Sequence, residues 1–325
     1  MVLSRREFLR RGAAALAAGT LGGGAAARPD GPHPVRILVG FPAGGPVDLA
    51  ARVVAPWLAA RLDEPFLVEN RPGDSGNLAT RQVARAEPDG RTLLMCGPVN
   101  AINTTLFPDL DFDFERDCAP VAGLSRVPLV VEVNPSVPAR SVPQFLALAR
   151  ERPGGIRVAY AGRGTPQHLG IELFRTMAGV DLALVPYLGS APALADLLDG
   201  RVDAMFDPLP SSIAHLRAGR LVPLAVTTPT AVDALPGVPA MGAFVPGYEA
   251  GSWFGLAAPR GVPEAIVARL DDAVRAGLAD PDMQAKLAQM GATPMAMSSE
   301  AFGRFIAAET ARYREVIRSA GIRTG

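Results

Sequence analysis

Cysteine, histidine and long apolar runs are scarce in this 325-residue chain, and each scarcity excludes something. The two cysteines, Cys96 and Cys118, cannot build a disulfide scaffold and allow one bridge at most. Cys96 closes the apolar run 92–95 and reads as a small buried residue, so the bridge stays open as an alternative. The three histidines, His33, His168 and His215, lie too far apart in sequence to form a metal-ligand motif. G-x-G-x-x-G, G-x-x-x-x-G-K-S/T and G-x-S-x-G are all missing. No metal or cofactor is expected. Beyond residue 27, no apolar run reaches the roughly 18 residues of a membrane span. Charge of one sign is not in excess either. Of 32 basic and 32 acidic residues, the first 27 positions hold four arginines and one glutamate, which leaves 28 basic and 31 acidic. A net charge near −3 gives no reason to expect nucleic acid or an anionic membrane as partner.

Gly73-Asp74-Ser75-Gly76 invites a serine-protease reading, but its context argues against one. A chymotrypsin-like chain places histidine and then aspartate before the serine, and the only upstream histidine is His33. The tetrapeptide reads better as a loop and helix start, with Leu78 and Val83 on the helix that follows.

The first 27 residues read as an export signal. Arg5-Arg6 precedes Phe8-Leu9, an Ala/Gly/Leu-rich stretch follows, and Ala25-Ala26-Ala27 offers a cleavage site. The paired arginines match the twin-arginine pattern, which implies folding before export to the periplasm. No cysteine lies near the cleavage site, so no lipid anchor is expected.

Residues 37–60 organise the remainder. The apolar run from Ile37 to Gly40 predicts a buried strand, and Pro42–Pro46 break the pattern. From Val47, apolar residues recur at helical spacing. Pro46 suits the first helical position because it has no N–H to lose. First-turn amides are unpaired and favour an anion, so this loop is a candidate anion site, with an ordinary tight turn as the alternative. The same strand, glycine loop, proline, helix sequence recurs at 156–177. Strands are expected at 66–68, 92–95, 129–133, 182–185, 204–206, 221–226 and 253–258. Helices are expected at 145–148, 191–198, 213–216, 262–278, 283–290 and 299–317. Residues 97–103 follow a strand and are expected to line a cleft. Residues 108–120 read as a surface excursion, and 229–248 as a connector. This alternation predicts α/β sheets with helices on both faces and ligands beyond the strands' carboxyl ends.

Nine motifs, in order, resemble one family. They are Phe41-Pro42-Ala43-Gly44-Gly45 with Asp48 and Ala51-Arg52; Val68-Glu69-Asn70-Arg71-Pro72-Gly73; Pro88-Asp89-Gly90-Arg91-Thr92-Leu93-Leu94; Tyr160-Ala161 with Gly164 and His168-Leu169; Glu172-Leu173-Phe174; Val185-Pro186-Tyr187; Gly189 with Pro192-Ala193; Leu224-Ala225-Val226-Thr227; and Trp253 with Gly255-Leu256-Ala257-Ala258-Pro259. From Pro34 onward the chain resembles the periplasmic receptors of tripartite tricarboxylate transporters, the TctC or Bug family. The resemblance implies a type II-like periplasmic binding protein, a Venus flytrap of two α/β domains around a ligand cleft. Expected boundaries are 28–128 with 251–325 for domain 1, and 129–250 for domain 2. The resemblance also implies a non-enzymatic, monomeric receptor for a small organic acid or amino acid. Its partners would be the large and small membrane subunits of such a transporter. A chemosensory or regulatory receptor is the first alternative, and a periplasmic hydrolase using Asp48 or His168 is a remote one. Three departures stand out: Leu188 where the family has lysine, Gly73-Asp74-Ser75-Gly76 where it has Gly-Ala-Gly-Gly, and Arg163 where small residues are common.

The candidate ligand-binding residues are Phe41, Ala43, Gly44, Gly45 and Asp48 in the first loop, and Gly162, Gly164, Thr165 and His168 in the second, joined by Asn70, Asn100, Tyr187 and Asp207. Asp48 has two readings: capping its helix, or accepting a proton from a solute ammonium or hydroxyl. Asn70, Asn100 and Asp207 are turn residues or cleft contacts; Thr165 and His168 are caps or contacts. Tyr187 offers a ring and a hydroxyl at a strand end, while Asp196 and Asp199 read as solvated face. With Leu188 in place of lysine and Asp48 near the cleft, a mono- or dicarboxylate bearing a hydroxyl or ammonium is expected over citrate.

Overall fold

The computed structural model describes residues 34–319, 321 and 322. The export signal at 1–27 lies outside the described residues. In chain order the elements are β1 (Val35–Val39), α1 (Pro46–Leu62), β2 (Phe66–Asn70), α2 (Asn77–Ala84), β3 (Thr92–Cys96), α3 (Pro98–Leu106), α4 (Phe114–Asp117) and β4 (Cys118–Val133). There follow α5 (Val142–Glu151), β5 (Arg157–Tyr160), α6 (Pro166–Ala178), β6 (Ala183–Pro186), α7 (Ser190–Leu198), β7 (Ala204–Pro208), α8 (Leu209–Arg217) and β8 (Val222–Val226). The chain closes with β9 (Gly251–Pro259), α9 (Glu264–Ala279), α10 (Pro281–Gln289), β10 (Thr293–Pro294) and α11 (Ser299–Ser319).

One long strand ties the sheet together. The first part of β4 pairs antiparallel with β9, from Cys118 opposite Pro259 to Pro128 opposite Gly251. At Leu129 it changes partner and pairs with β7, from Leu129 opposite Pro208 to Val133 opposite Ala204, and with β8 on its other edge. On one side of that change, β2, β1 and β3 run parallel and continue into β9. On the other, β7, β5 and β6 run parallel. Separate buried cores flank each half. Val39, Leu58, Leu93 and Leu256 belong to one, and Phe145, Phe174, Phe206 and Tyr248 to another.

The expected excursion at 108–120 is shorter in the structure. Phe114–Asp117 is a helical turn capped by Asp113, and β4 already begins at the buried Cys118. The sequence hid this start because β4 contains Pro120, Gly123 and Pro128, which weaken a strand pattern. The pairing with β9 accommodates the first two by register shifts between Pro120 and Ala122 and between Gly123 and Ser125. Both cysteines are free and buried, and Cys96 Sγ lies 3.2 Å from the Gly255 carbonyl. Burial pushes the Cys118 thiol up to about 12, which leaves it inert.

Candidate functional site

Two sets of three parallel strands end at the same place from opposite sides. The carboxyl ends of β1, β2 and β3 face those of β5, β6 and β7, and the loops leaving them meet across a cavity of about 30 Å³. Five helix starts wall it. Pro46 and Val47 begin α1, and Gly97, Pro98 and Val99 begin α3. Thr165, Pro166 and Gln167 begin α6, Ser190 begins α7, and Pro208 caps α8. Phe41, Ala161, Ser252 and Phe254 complete the wall. No wall residue carries a formal charge, so first-turn amides and dipoles set the sign of what is attracted. Four starts carry proline at one of the first two helical positions, where the N–H has no helical partner.

Of the thirteen residues expected from sequence, Phe41 and Thr165 line the cavity. Thr165 Oγ1 also accepts from the His168 amide at 3.3 Å and donates to the Gly162 carbonyl at 2.7 Å, so it caps α6. Most of the others hold the loops. Asp48 is 1% exposed, and both its oxygens are taken by protein donors. Gly44 N lies 2.8 Å and Arg52 Nε 2.9 Å from Oδ2; Asn70 Nδ2 lies 2.9 Å and Arg52 Nε 3.0 Å from Oδ1. Burial pushes the Asp48 pKa up, but Arg52, the Gly44 amide and Asn70 outweigh it and the carboxylate is held below its ordinary value. Of the two readings of Asp48, these bonds match the internal one, in which it straps the first loop. Asn70 belongs to the same strap, because Nδ2 also reaches the Phe41 carbonyl at 3.0 Å. Gly44 uses its amide on Asp48 and lies exposed with Ala43, while Gly45 caps α1.

Asn100 is likewise internal. Its Oδ1 accepts from Gly97 N at 2.9 Å and its Nδ2 reaches Thr80 Oγ1 at 2.8 Å, fixing the start of α3. His168 stacks on Tyr160 at 5.0 Å, and its Nδ1 accepts from the Gly164 amide at 3.3 Å. Tyr187 donates to Asp196 Oδ2 at 2.7 Å, and burial together with that bond raises its pKa to about 12. It does not line the cavity, and Asp196 is its partner rather than plain solvated surface. Asp207 is wholly buried one layer behind the wall. Leu188 is 59% exposed and outside the wall, and Arg163 hydrogen-bonds Tyr160, so neither family departure alters the cavity lining.

Sequence reasoning singled out two of the five helix starts as anion sites and expected the region of a third, residues 97–103, at the cleft. Gly97-Pro98, Gly189-Ser190 and Pro208-Leu209-Pro210 have the same grammar of strand, glycine or proline, then helix, and that signal was sufficient to find them. Ser252 and Phe254 carried no such signal, since they sit inside β9 and reach the cavity only through sheet register.

His168 provides a pH test. Burial first, then Arg163 and Arg175, lower its pKa from 6.5 to about 4. A depressed histidine pKa means the unfolded chain binds the proton more readily. Stability from neutral His168 is therefore complete above about pH 6.5 and falls by roughly 3 kcal/mol toward pH 4. Thermal melts should show that loss in wild type and a flatter profile in His168→Gln. Equal slopes would overturn the assignment.

Comparison with known proteins gives one family. Residues 50–322 match the tripartite tricarboxylate transporter family receptor. Protein BugT of Bordetella pertussis is 33% identical over 293 residues, 89% of this chain and 90% of BugT. Rpa4515 of R. palustris, solved with adipate, is 39% identical at a TM-score of 0.87, over 89% of this chain and 98% of that one. MatC of Rhodopseudomonas palustris, solved with bound malate, is 32% identical at 0.82, over 87% of this chain and 98% of its own.

Proposed function

Since this chain belongs to the tripartite tricarboxylate transporter receptor family, whose members are periplasmic solute-binding proteins, we propose that it captures a small dicarboxylate in the cavity between its facing loops and hands it unchanged to membrane subunits. The carrying observation is the ring of five helix starts with no charged side chain in the wall. Such a wall neutralises carboxylates with oriented amides. Phe41, Val47, Val99 and Phe254 supply apolar surface suited to the methylenes between two acid groups. With Asp48 saturated by protein donors, the reason to require an ammonium on the solute falls away, and a plain linear diacid fits as well as a hydroxy acid. The adipate and malate bound by the two Rhodopseudomonas relatives are of this class.

The cavity's 30 Å³ is far below the roughly 300–1,000 Å³ of small-molecule pockets, so solute admission requires the loops to part. The two crossings at 128/129 and 250/251 are the proposed hinge between domain 1 (28–128 with 251–325) and domain 2 (129–250). The receptor is proposed to act as a monomer toward the large and small membrane subunits. Calorimetry with succinate, malate, glutarate, adipate and citrate should give binding by at least one diacid and weaker binding by citrate. Mass spectrometry should return the solute intact. Binding only to an uncharged sugar, or product formation, would overturn the proposal.

A further inference from the structure

A buried acid pair lies directly behind the polar part of the cavity wall. Glu132 on β4 and Asp207 on β7 are both wholly buried, and they share one face of the sheet, since Val130 stands opposite Asp207 and Glu132 opposite Met205. Every group facing the pair is neutral or another acid. Ser190 comes from α7, Gln167 from α6, and Ser211 and Ser212 from α8, while β4 and β7 supply the two carboxyls themselves. No arginine, lysine or histidine among the described residues is seen to act on either one.

The proton count follows from the hydroxyls. Ser212 Oγ lies 2.7 Å from Glu132 Oε1 and 3.0 Å from Asp207 Oδ2, yet it owns one proton. Both bonds form only if one carboxyl is itself a donor. Glu132 is that acid, because it has one partner and its Oε2 is buried without any. Burial, and then the charge of Asp207, raise its pKa well above the ordinary value. Asp207 is the acceptor for Ser190, Ser212 and Gln167, while the single Ser211 proton is shared between Asp207 and the Pro208 carbonyl 2.8 Å away; burial raises the Asp207 pKa too.

Ionised Asp207 dictates what the wall presents. Ser190 Oγ lies 2.6 Å from Asp207 Oδ1, so its proton points there and only its lone pairs remain for a solute. Gln167 Nε2 is drawn the same way, 3.1 Å from Ser190 Oγ and 3.5 Å from Asp207 Oδ1. Both side chains line the cavity, and this orientation repels the carboxylate that the helix starts attract. Protonating Asp207 reverses the serine, while Gln167 Nε2 stays a donor to Ser190 Oγ. The carboxyl proton is then donated to Ser190 Oγ, and the serine proton is released toward the solute.

Resting on the carboxylate reading above, we infer that Asp207 is a positioning residue which sets the polarity of Ser190, and that a carboxylate solute is bound together with one proton taken from solvent. Free-state and bound-state proton affinities of the pair then differ, and affinity rises as pH falls between them, by up to about tenfold per pH unit.

Calorimetry of the mature protein with succinate, malate, glutarate and adipate tests this from about pH 7 to about pH 9, above the ordinary carboxylate range. Each titration is run in two buffers of different ionisation enthalpy. Wild type should take up close to one proton per bound diacid. Asp207→Asn should abolish the uptake and flatten the pH dependence. Glu132→Gln, which replaces an acid that is already neutral, should keep it. Diacid binding without proton uptake in wild type overturns the inference and needs no variant to fold. Uptake that survives in Asp207→Asn overturns the assignment to Asp207. Failure of all four diacids to bind is a different result, and it overturns the carboxylate reading itself.

Discussion

Gly189→Ala should weaken diacid binding by roughly tenfold to hundredfold and leave the thermal stability of the solute-free protein within a degree or two. The reason is a contact between the facing loops. A Cβ built on Gly189, at the start of α7, would lie 2.7 Å from Cδ of Pro42 in the loop after β1. Real Cβ atoms do not approach so closely, so one loop must shift. Backbone strain plays no part, because Gly189 has φ 177°, an extended conformation open to alanine. Overpacking of this kind costs roughly 1–3 kcal/mol, and a cost confined to the closed form appears in full as lost affinity. At about 1.4 kcal/mol per tenfold, that gives the stated range. Calorimetry with the best-bound diacid measures the affinity, and small-angle scattering with saturating solute should show less compaction than in wild type. Unchanged affinity would mean the two loops do not meet in the bound state. Gly164 makes a comparable approach to Asn103 from the second loop, but its φ of +72° would add backbone strain to the steric effect. Gly189 is the cleaner probe.

The sequence was most informative where a local rule acted alone. A glycine loop ending in proline marked the helix starts at Pro46 and Pro166, and apolar runs marked the parallel strands, so β1, β5 and β7 and the helices after the glycine loops were all legible. β4 was only half legible. Its register shifts and its change of partner at Leu129 belong to the sheet and leave no periodic trace in one strand. The site was legible as a place and less so as a set of contacts. Asp48, Asn70, Asn100 and His168 stand in the right loops, but each side chain bonds the backbone or a neighbour of its own loop. Asx and histidine side chains at loop ends commonly do this, and sequence cannot say whether such a group turns inward or toward a solute. Gln167 and Ser190 were passed over for a different reason. Their helix starts carried a signal, but only the pairing of β5 with β6 brings the two side chains together in the wall.

Asp48→Ala should lower the melting temperature by several degrees and weaken every diacid by a similar factor. Asp48 joins three parts of the first loop: the Gly44 amide, Asn70 on β2, and Arg52 one turn along α1. Removing one partner of a buried ion pair costs about 3–5 kcal/mol. Arg52 is half exposed here and regains water, so about 2 kcal/mol is the better expectation, or roughly 4–8 °C for a lobe of this size. The pH dependence has a definite sign. A carboxylate held below its ordinary pKa stabilises the fold above that ordinary value of 3.8, and the contribution disappears as pH falls through the lower folded value. Wild type and Asp48→Ala should therefore converge in melting temperature as the pH drops below about 4. The binding profile separates the strap from the alternative role. A strap acts on the geometry of the loop, so succinate and aspartate should lose affinity by the same factor, about tenfold for each 1.4 kcal/mol of lost loop order. A selective loss of aspartate, with succinate unaffected, would instead restore Asp48 as the acceptor of a solute ammonium. Calorimetry with both acids, on wild type and variant, decides between these outcomes.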